Sequence, residues 1–269
     1  AYPSGKLATT WAVTEDYCTA GDFAERDDTR YREGIYVGYR YFDSFGLEPL
    51  FPFGFGLGYT DFSAEKAKVK AEGPEVSVSA KIKNTGGFAG KETLQVYVSC
   101  PRGRLDRELK SLAGFTKTEE LAPGKSCTAE VSFDIRDMAA YDEKSASYIL
   151  EKGDYVVLAG TDSRNAEAAA VLRLSSDFIV RRSANLFGGA DFEDLRSPGL
   201  SVPDTAGLPV TELDLSDCAT LLPGSADCPE AKSSVLSEMT AEELAKVEAI
   251  VNEKIAAALP VVTKEMTLD

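Results

Sequence analysis

From about residue 62 to residue 180 apolar side chains fall on every second position, a period that leaves few folds open. Val76, Val78, Ala80 and Ile82 alternate with Ser77, Ser79, Lys81 and Lys83. Successive side chains of a strand point to opposite faces, so this run reads as a half-buried strand. Leu94, Val96 and Val98 repeat the pattern, as do Val131, Phe133 and Ile135. Turns are marked by Asn84-Thr85-Gly86-Gly87, Ala122-Pro123-Gly124 and Lys152-Gly153-Asp154. Short strands punctuated in this way predict one antiparallel β-sandwich. Its core is expected to hold Val78, Ile82, Val96, Val131, Phe133, Tyr155 and Val157. Tyr155 opens a strand after Leu150-Glu-Lys-Gly-Asp. It reads equally as a tyrosine corner, with its hydroxyl tied back to nearby backbone, or as an aromatic that merely starts the strand; either role is structural.

The flanks have other periods. Residues 1–61 are rich in glycine and aromatics, culminating in Leu50-Phe-Pro-Phe-Gly-Phe-Gly-Leu-Gly-Tyr-Thr-Asp-Phe62, which suits a close-packed irregular backbone. Within them Gly34–Phe42 has the β-branched and aromatic character of a strand. Residues 181–269 form an extension. Pro and Gly recur through 181–238 with little periodicity, predicting a meander across other surfaces. A helix over about 241–258 then follows the capping box Thr240-Ala-Glu-Glu243, with Leu244, Val247, Val251 and Ile255 on one stripe and Pro260 beyond its end. That stripe needs a protein partner, and a homodimer is one expected way of covering it.

Composition narrows the function classes. The formal charge is −15, and residues 187–269 hold 16 acidic against 5 basic side chains. Such acidity excludes nucleic acid and anionic membrane surfaces as partners, and no apolar run is long enough to span a bilayer. Five scattered cysteines without CxxC spacing fit reduced thiols and a cytoplasmic location better than disulfides or a zinc site. The chain has no histidine, so neither a Ser-His nor a Cys-His nucleophile pair can be assembled from it.

Three motifs, in order, carry a resemblance. They are Pro3-Ser4-Gly5-Lys6-Leu7 with Thr10-Trp11; Tyr31-Arg-Glu33-Gly34-Ile35-Tyr36-Val37-Gly38-Tyr39-Arg40-Tyr41; and Pro49-Leu50-Phe51-Pro52-Phe53-Gly54-Phe55-Gly56-Leu57-Gly58-Tyr59-Thr60. Glu108-Leu109-Lys110-Ser-Leu112-Ala-Gly114-Phe115, Leu121-Ala-Pro123-Gly124, Ala140-Tyr141-Asp142 and Gly153-Asp-Tyr155 continue it. Over about residues 2–180 the chain resembles glycoside hydrolase family 3 β-glucosidases, departing at Phe55, where many relatives have His, and at Gly58, where Ser is frequent. The resemblance implies that residues 1–61 end an α/β sandwich domain, 62–180 form a fibronectin type III/immunoglobulin-like β-sandwich, and 181–269 are an acidic linker. It also implies a circularly permuted parent in which that linker leads to a (β/α)8 barrel.

Retaining hydrolysis of β-glycosides requires a carboxylate nucleophile and a carboxylic acid about 5–5.5 Å apart. In the resembled family the first is an Asp of the barrel and the second a Glu of the α/β domain upstream of the Pro-Ser-Gly motif. No residue of this chain matches either position. The expectation is an accessory portion, inactive alone, with no catalytic residue and no cofactor or metal. Its partners would be the catalytic barrel and the α/β domain, and its parent's substrate a β-glucoside. The alternative function is a free-standing carbohydrate-binding or interaction sandwich.

Asp27-Asp28 and Glu119-Glu120 read as solvated surface pairs. Tyr36, Tyr39, Tyr41, Phe51, Phe53 and Phe55 could stack on sugar, but such a cluster fits interior packing better. Trp11 is expected as a core aromatic of the α/β remnant rather than beside a substrate channel, and Arg40 and Asp43 read equally as a pair that fixes the strand exit or as two solvated charges.

Overall fold

A computed structural model describes residues 3–18, 29–185, 192–199 and 203–221. Asp27, Asp28 and Cys228 lie outside this set, as does the expected helix over 241–258 with its Leu244/Val247/Val251/Ile255 stripe. A 3-10 turn (Thr14–Asp16) and a short α-helix, α1 (Tyr39–Phe45), precede the first strands, β1 (Phe62–Ala64), β2 (Lys68–Glu72), β3 (Glu75–Asn84), β4 (Thr93–Ser99) and β5 (Ser111–Lys117). There follow β6 (Ser126–Asp134), β7 (Ala140–Asp142), β8 (Ser147–Leu150), β9 (Gly153–Gly160), β10 (Glu167–Leu174), β11 (Phe178–Arg182) and β12 (Val210–Glu212).

These strands form a mainly β fold built on a fibronectin type III-like sandwich. One sheet centres on β3, which pairs antiparallel with β1, β2 and β6. The other runs β12-β10-β9-β4-β5, and β11-β8-β7 make a small third sheet. The period-two reading places the core correctly. Val76, Val78 and Ile82 of β3 share one face of their sheet with Val131 and Phe133 of β6, and the core they enter also holds Leu94, Val96, Tyr155, Val157 and Leu172 of the second sheet, all buried. Each such side chain contributes about 1.5–3 kcal/mol on leaving water.

β4 departs from the half-buried reading, because every one of its residues is buried. Its outward side chains Gln95 and Tyr97 are covered: Tyr97 packs with Val156 and Leu158 against Tyr39 of α1 and Phe53. The second sheet is therefore roofed by the N-terminal segment. That roof contains a helix where the sequence suggested a strand over Gly34–Phe42. Gly38 (φ 56°) precedes α1 and Gly46 (φ 68°) ends it in the left-handed region, its N–H returning to the Phe42 carbonyl. Glycine takes this conformation without steric cost. Tertiary contacts then hold the helix: the Leu112 N–H donates to the Tyr39 hydroxyl and the Leu109 N–H to the Ser44 hydroxyl, each at 2.8 Å.

Asn84 closes β3 and ties its end together. Fully buried, it donates through Nδ2 to the carbonyls of Phe88 (2.7 Å) and Leu121 (2.8 Å), while Oδ1 accepts from the Thr60 hydroxyl (2.8 Å) and the Gly86 N–H (3.1 Å). Three loops are thereby fastened to one side chain whose hydrogen-bonding capacity is filled. The Tyr155 hydroxyl donates to the Glu151 carbonyl at 2.8 Å in a buried setting, so this residue forms the tyrosine corner. The Glu151 carboxylate in turn accepts the N–H groups of Arg104 and Leu105 at 2.8 and 3.0 Å.

The extension beyond residue 182 returns to the sandwich. β12 pairs parallel with β10, and Leu213 and Leu215 enter the core. Among the described residues no helix is long and apolar enough to cross a membrane.

Candidate functional site

Retaining glycoside hydrolysis needs a pair of carboxylates on either side of the scissile bond. Glu119 and Glu120 are both exposed on the β5–β6 connection, and the Glu119 carboxylate lies 3.9 Å from Lys91 Nζ. They are a solvated pair. Among the described residues no group of three or more Cys, Asp or Glu side chains is placed to hold a metal ion.

The charged cluster that the structure does assemble lies where α1 meets the second sheet. Asp43 is 3% exposed, and its carboxylate is approached by Lys110 Nζ at 3.3 Å and Arg164 Nε at 2.9 Å. Neither Asp43 Oδ2 nor Arg164 Nε has the alignment of a hydrogen bond, so these contacts act through charge. Burial pushes the Asp43 carboxyl above its ordinary range, against the pull of Lys110 and Arg164. Arg164 also donates through Nη2 to the Leu47 carbonyl. Nearby, Asp162 accepts the N–H groups of Arg164 and Asn165, both at 2.9 Å. The partner proposed for Asp43 from sequence, Arg40, is replaced by two cations distant in the chain. A carboxylate flanked by two cations and closed off from solvent pins α1 to the sandwich; it offers no group to a substrate.

The second junction is made by Gly54 and Gln95. Gln95 Nε2 donates to the carbonyls of Gly54 (3.3 Å) and Thr161 (2.6 Å), and its Oε1 accepts from the Tyr97 hydroxyl at 2.6 Å. Gly54 has φ +81°, and a Cβ there would stand 2.2 Å from Gln95 Oε1. Burial raises the Tyr97 phenol well above its usual range, so it remains a neutral donor.

The aromatic group divides. Tyr36 and Tyr39 are buried, whereas Phe51 is 40% exposed and Trp11 53%. Placing Trp11 in a core is therefore incorrect for this chain: it stacks edge-on to Phe51 at 6.3 Å, and Phe51 meets Phe55 at 5.0 Å. Backbone pairing of Leu7 with Phe55 and of Trp11 with Phe51 holds these rings in place. Leu50, Leu57 and Tyr59 of the same segment are each more than 60% exposed. Below it, Leu7, Phe53, Leu112 and Phe115 line an apolar cleft of about 310 Å³ with Lys6 and Lys117 at its rim. Lys6 is paired with Glu92 at 2.7 Å and Lys117 donates to the Ser4 carbonyl.

Sequence reasoning missed the Asp43 cluster, the hub at Asn84 and the two leucines of the extension. Lys110 lies in the run Glu108–Phe115 and Asn84 at the turn Asn84–Gly87, but neither position announces its partners.

Comparison with known proteins agrees with this architecture. A fibronectin type III-like domain family matches residues 92–163. The β-glucosidase of Ruminococcus albus is 38% identical over 191 residues, covering 67% of this chain and 20% of the relative. Among solved structures, a β-glucosidase from Paenibacillus barengoltzii superposes with a TM-score of 0.64 at 37% identity over 69% of this chain and 22% of its own. A GH3 β-glucosidase from Bifidobacterium adolescentis gives 0.57 at 34%, covering 66% of this chain and 26% of its own. The chain thus spans between a fifth and about a quarter of the length of these proteins.

Proposed function

We infer that this chain, which corresponds to the fibronectin type III-like portion of family 3 β-glucosidases, is a non-catalytic buttress for the domains that hydrolyse β-glucosides. The observation that carries the reading is the segment bearing Trp11, Leu50, Phe51, Leu57 and Tyr59, whose backbone is tied to the sandwich while its large apolar side chains face solvent. Exposed apolar surface of this kind marks an interaction site. In this reading residues 1–61 end an α/β domain that supplies the partner surface, 62–180 are the sandwich, and 181–269 run toward a barrel. Its parent's substrate is then a β-glucoside, and the nucleophile and acid come from the missing regions. The unpaired thiols of Cys18, Cys100, Cys127 and Cys218 support a reducing, cytoplasmic setting.

Two measurements test this. The isolated chain is expected to release no aryl alcohol from aryl β-glucosides. Turnover that survives purification, and is lost on changing a single Asp or Glu, overturns the reading. Leu57→Asp should change the stability of this chain by less than about 0.5 kcal/mol, as for an exposed site. It should lower the melting temperature of a polypeptide that also carries the remaining domains. A half-exposed Trp11 against Phe51 also favours a second reading, stacking on sugar, and saturable binding of a glucan by this chain alone would select it.

A further inference from the structure

The fibronectin-like family match ends at residue 163, yet the sandwich is not complete until residue 221. Pro209 accepts a hydrogen bond from the Val171 N–H at 2.9 Å, and Leu213 donates to the Arg173 carbonyl at 2.8 Å. Between them Val210, Thr211 and Glu212 lie beside Val171, Leu172 and Arg173 in parallel. The same segment then follows β11: Leu221 donates to Val180 and accepts from Arg182, both at 2.9 Å, and the Thr220 hydroxyl donates to the Ile179 carbonyl at 2.7 Å. Leu208 packs with Tyr97, Val156 and Leu158 on the outer face of the sheet, while Leu213 and Leu215 enter the core on the other. One extended segment therefore straddles the edge strand and anchors on both faces.

Without it, the sequence Ala168-Ala-Ala-Val-Leu-Arg-Leu174 of β10 would present an apolar strand with unpaired N–H and C=O groups, a template for joining another strand. A cleft of about 330 Å³ lies between the strap and the β10–β11 turn, lined by Leu174, Phe178, Leu213, Leu215 and Cys218. We propose that the edge of β10 on which β12 lies, with the slots for Leu208, Leu213 and Leu215, is an acceptor site for an extended peptide with leucines at that spacing, and that residues 208–221 are its resident occupant. Recognition is by strand addition: main-chain hydrogen bonds supply the pairing, and the leucine slots supply selectivity. The same site accepts that segment when it is offered as a separate molecule.

The test uses the full chain carrying L213S and L215S, which weakens the resident strap, and a fluorescent synthetic peptide of residues 206–221. Saturable binding to the variant, at least ten-fold tighter than to the unaltered chain, is the expected result. Absence of binding to the folded variant, or equal binding to both chains, overturns the proposal. Should the double variant fail to fold, Leu213→Ala serves with a second readout, exchange of the Val171 amide proton that now points at Pro209. That proton should exchange at least ten-fold faster in the variant, while the amides of β4 keep their rates. An unchanged Val171 rate refutes the strap's role.

Discussion

Replacing Asn84 by Asp keeps the shape of the side chain and removes the two N–H bonds that it donates. The carbonyls affected are unequal. Leu121 still accepts the Gly90 N–H at 3.1 Å, so it loses about one net hydrogen bond, near 1 kcal/mol. The Phe88 carbonyl belongs to a largely exposed residue and can recover water, a similar loss. To these is added a carboxylate brought close to two carbonyl oxygens inside the fold, which raises the cost at neutral pH to about 2–4 kcal/mol. With a urea dependence of about 2 kcal/mol per molar, the unfolding midpoint followed by circular dichroism should fall by about 1–2 M. The pH dependence is the sharper test. A carboxyl facing carbonyls is stabilised in its protonated form, so its folded pKa lies above the unfolded value of about 3.9. Relative to the parent, the variant must therefore lose stability as pH rises through that window and regain part of it as pH falls, when one O–H donor returns. A variant within 1 kcal/mol of the parent at pH 7, or one whose deficit does not change with pH, would show that the Asn84 donors do not hold these loops.

Val96→Asp puts an unpaired charge at a fully buried core position; a cost on the order of 3–5 kcal/mol is expected, read as loss of the cooperative thermal transition. Asp142 accepts from the Ser145 hydroxyl at 2.6 Å and pairs with Arg104 at 2.9 Å, and these two, Ser145 first, hold its carboxyl below the ordinary range. A depressed folded pKa contributes stability above the unfolded value of about 3.9 that is lost as pH falls through the folded one. Asp142→Asn should accordingly flatten the acid side of the stability curve below about pH 4, as read by denaturant midpoints across pH 2–6.

The parts of this fold that could be read from sequence are those whose signal is local. Alternation on β3 and β6 marked the core faces because a strand's own neighbours define its period, and all seven side chains expected in the sandwich core are buried. Gly153-Asp-Tyr155 marked the tyrosine corner, since the tie spans only four positions. The missed features depend on what comes to lie opposite. β4 looked half-buried until α1 roofed its outer face. α1 looked like strand because aromatic composition outweighed the two flanking glycines that delimit it. The Asp43 partners, Lys110 and Arg164, come from two loops far along the chain, so no spacing rule finds them. Leu213 and Leu215 alternate with Glu212, Asp214 and Ser216, but the run is too short, among Pro, Gly and acidic residues, to announce a strand, and only their docking beside β10 makes them core.

Trp11 is the chain's one tryptophan, and it sits about half in water on the segment that the proposed function assigns to a domain contact rather than in the sandwich. Its emission should therefore be red and readily quenched by iodide or acrylamide in the folded chain, and should change little when the sandwich unfolds. Intrinsic fluorescence is then nearly blind to the stability of this protein. It becomes instead a built-in optical probe of the surface around Phe51, shifting to the blue when a partner covers that surface, with no label attached.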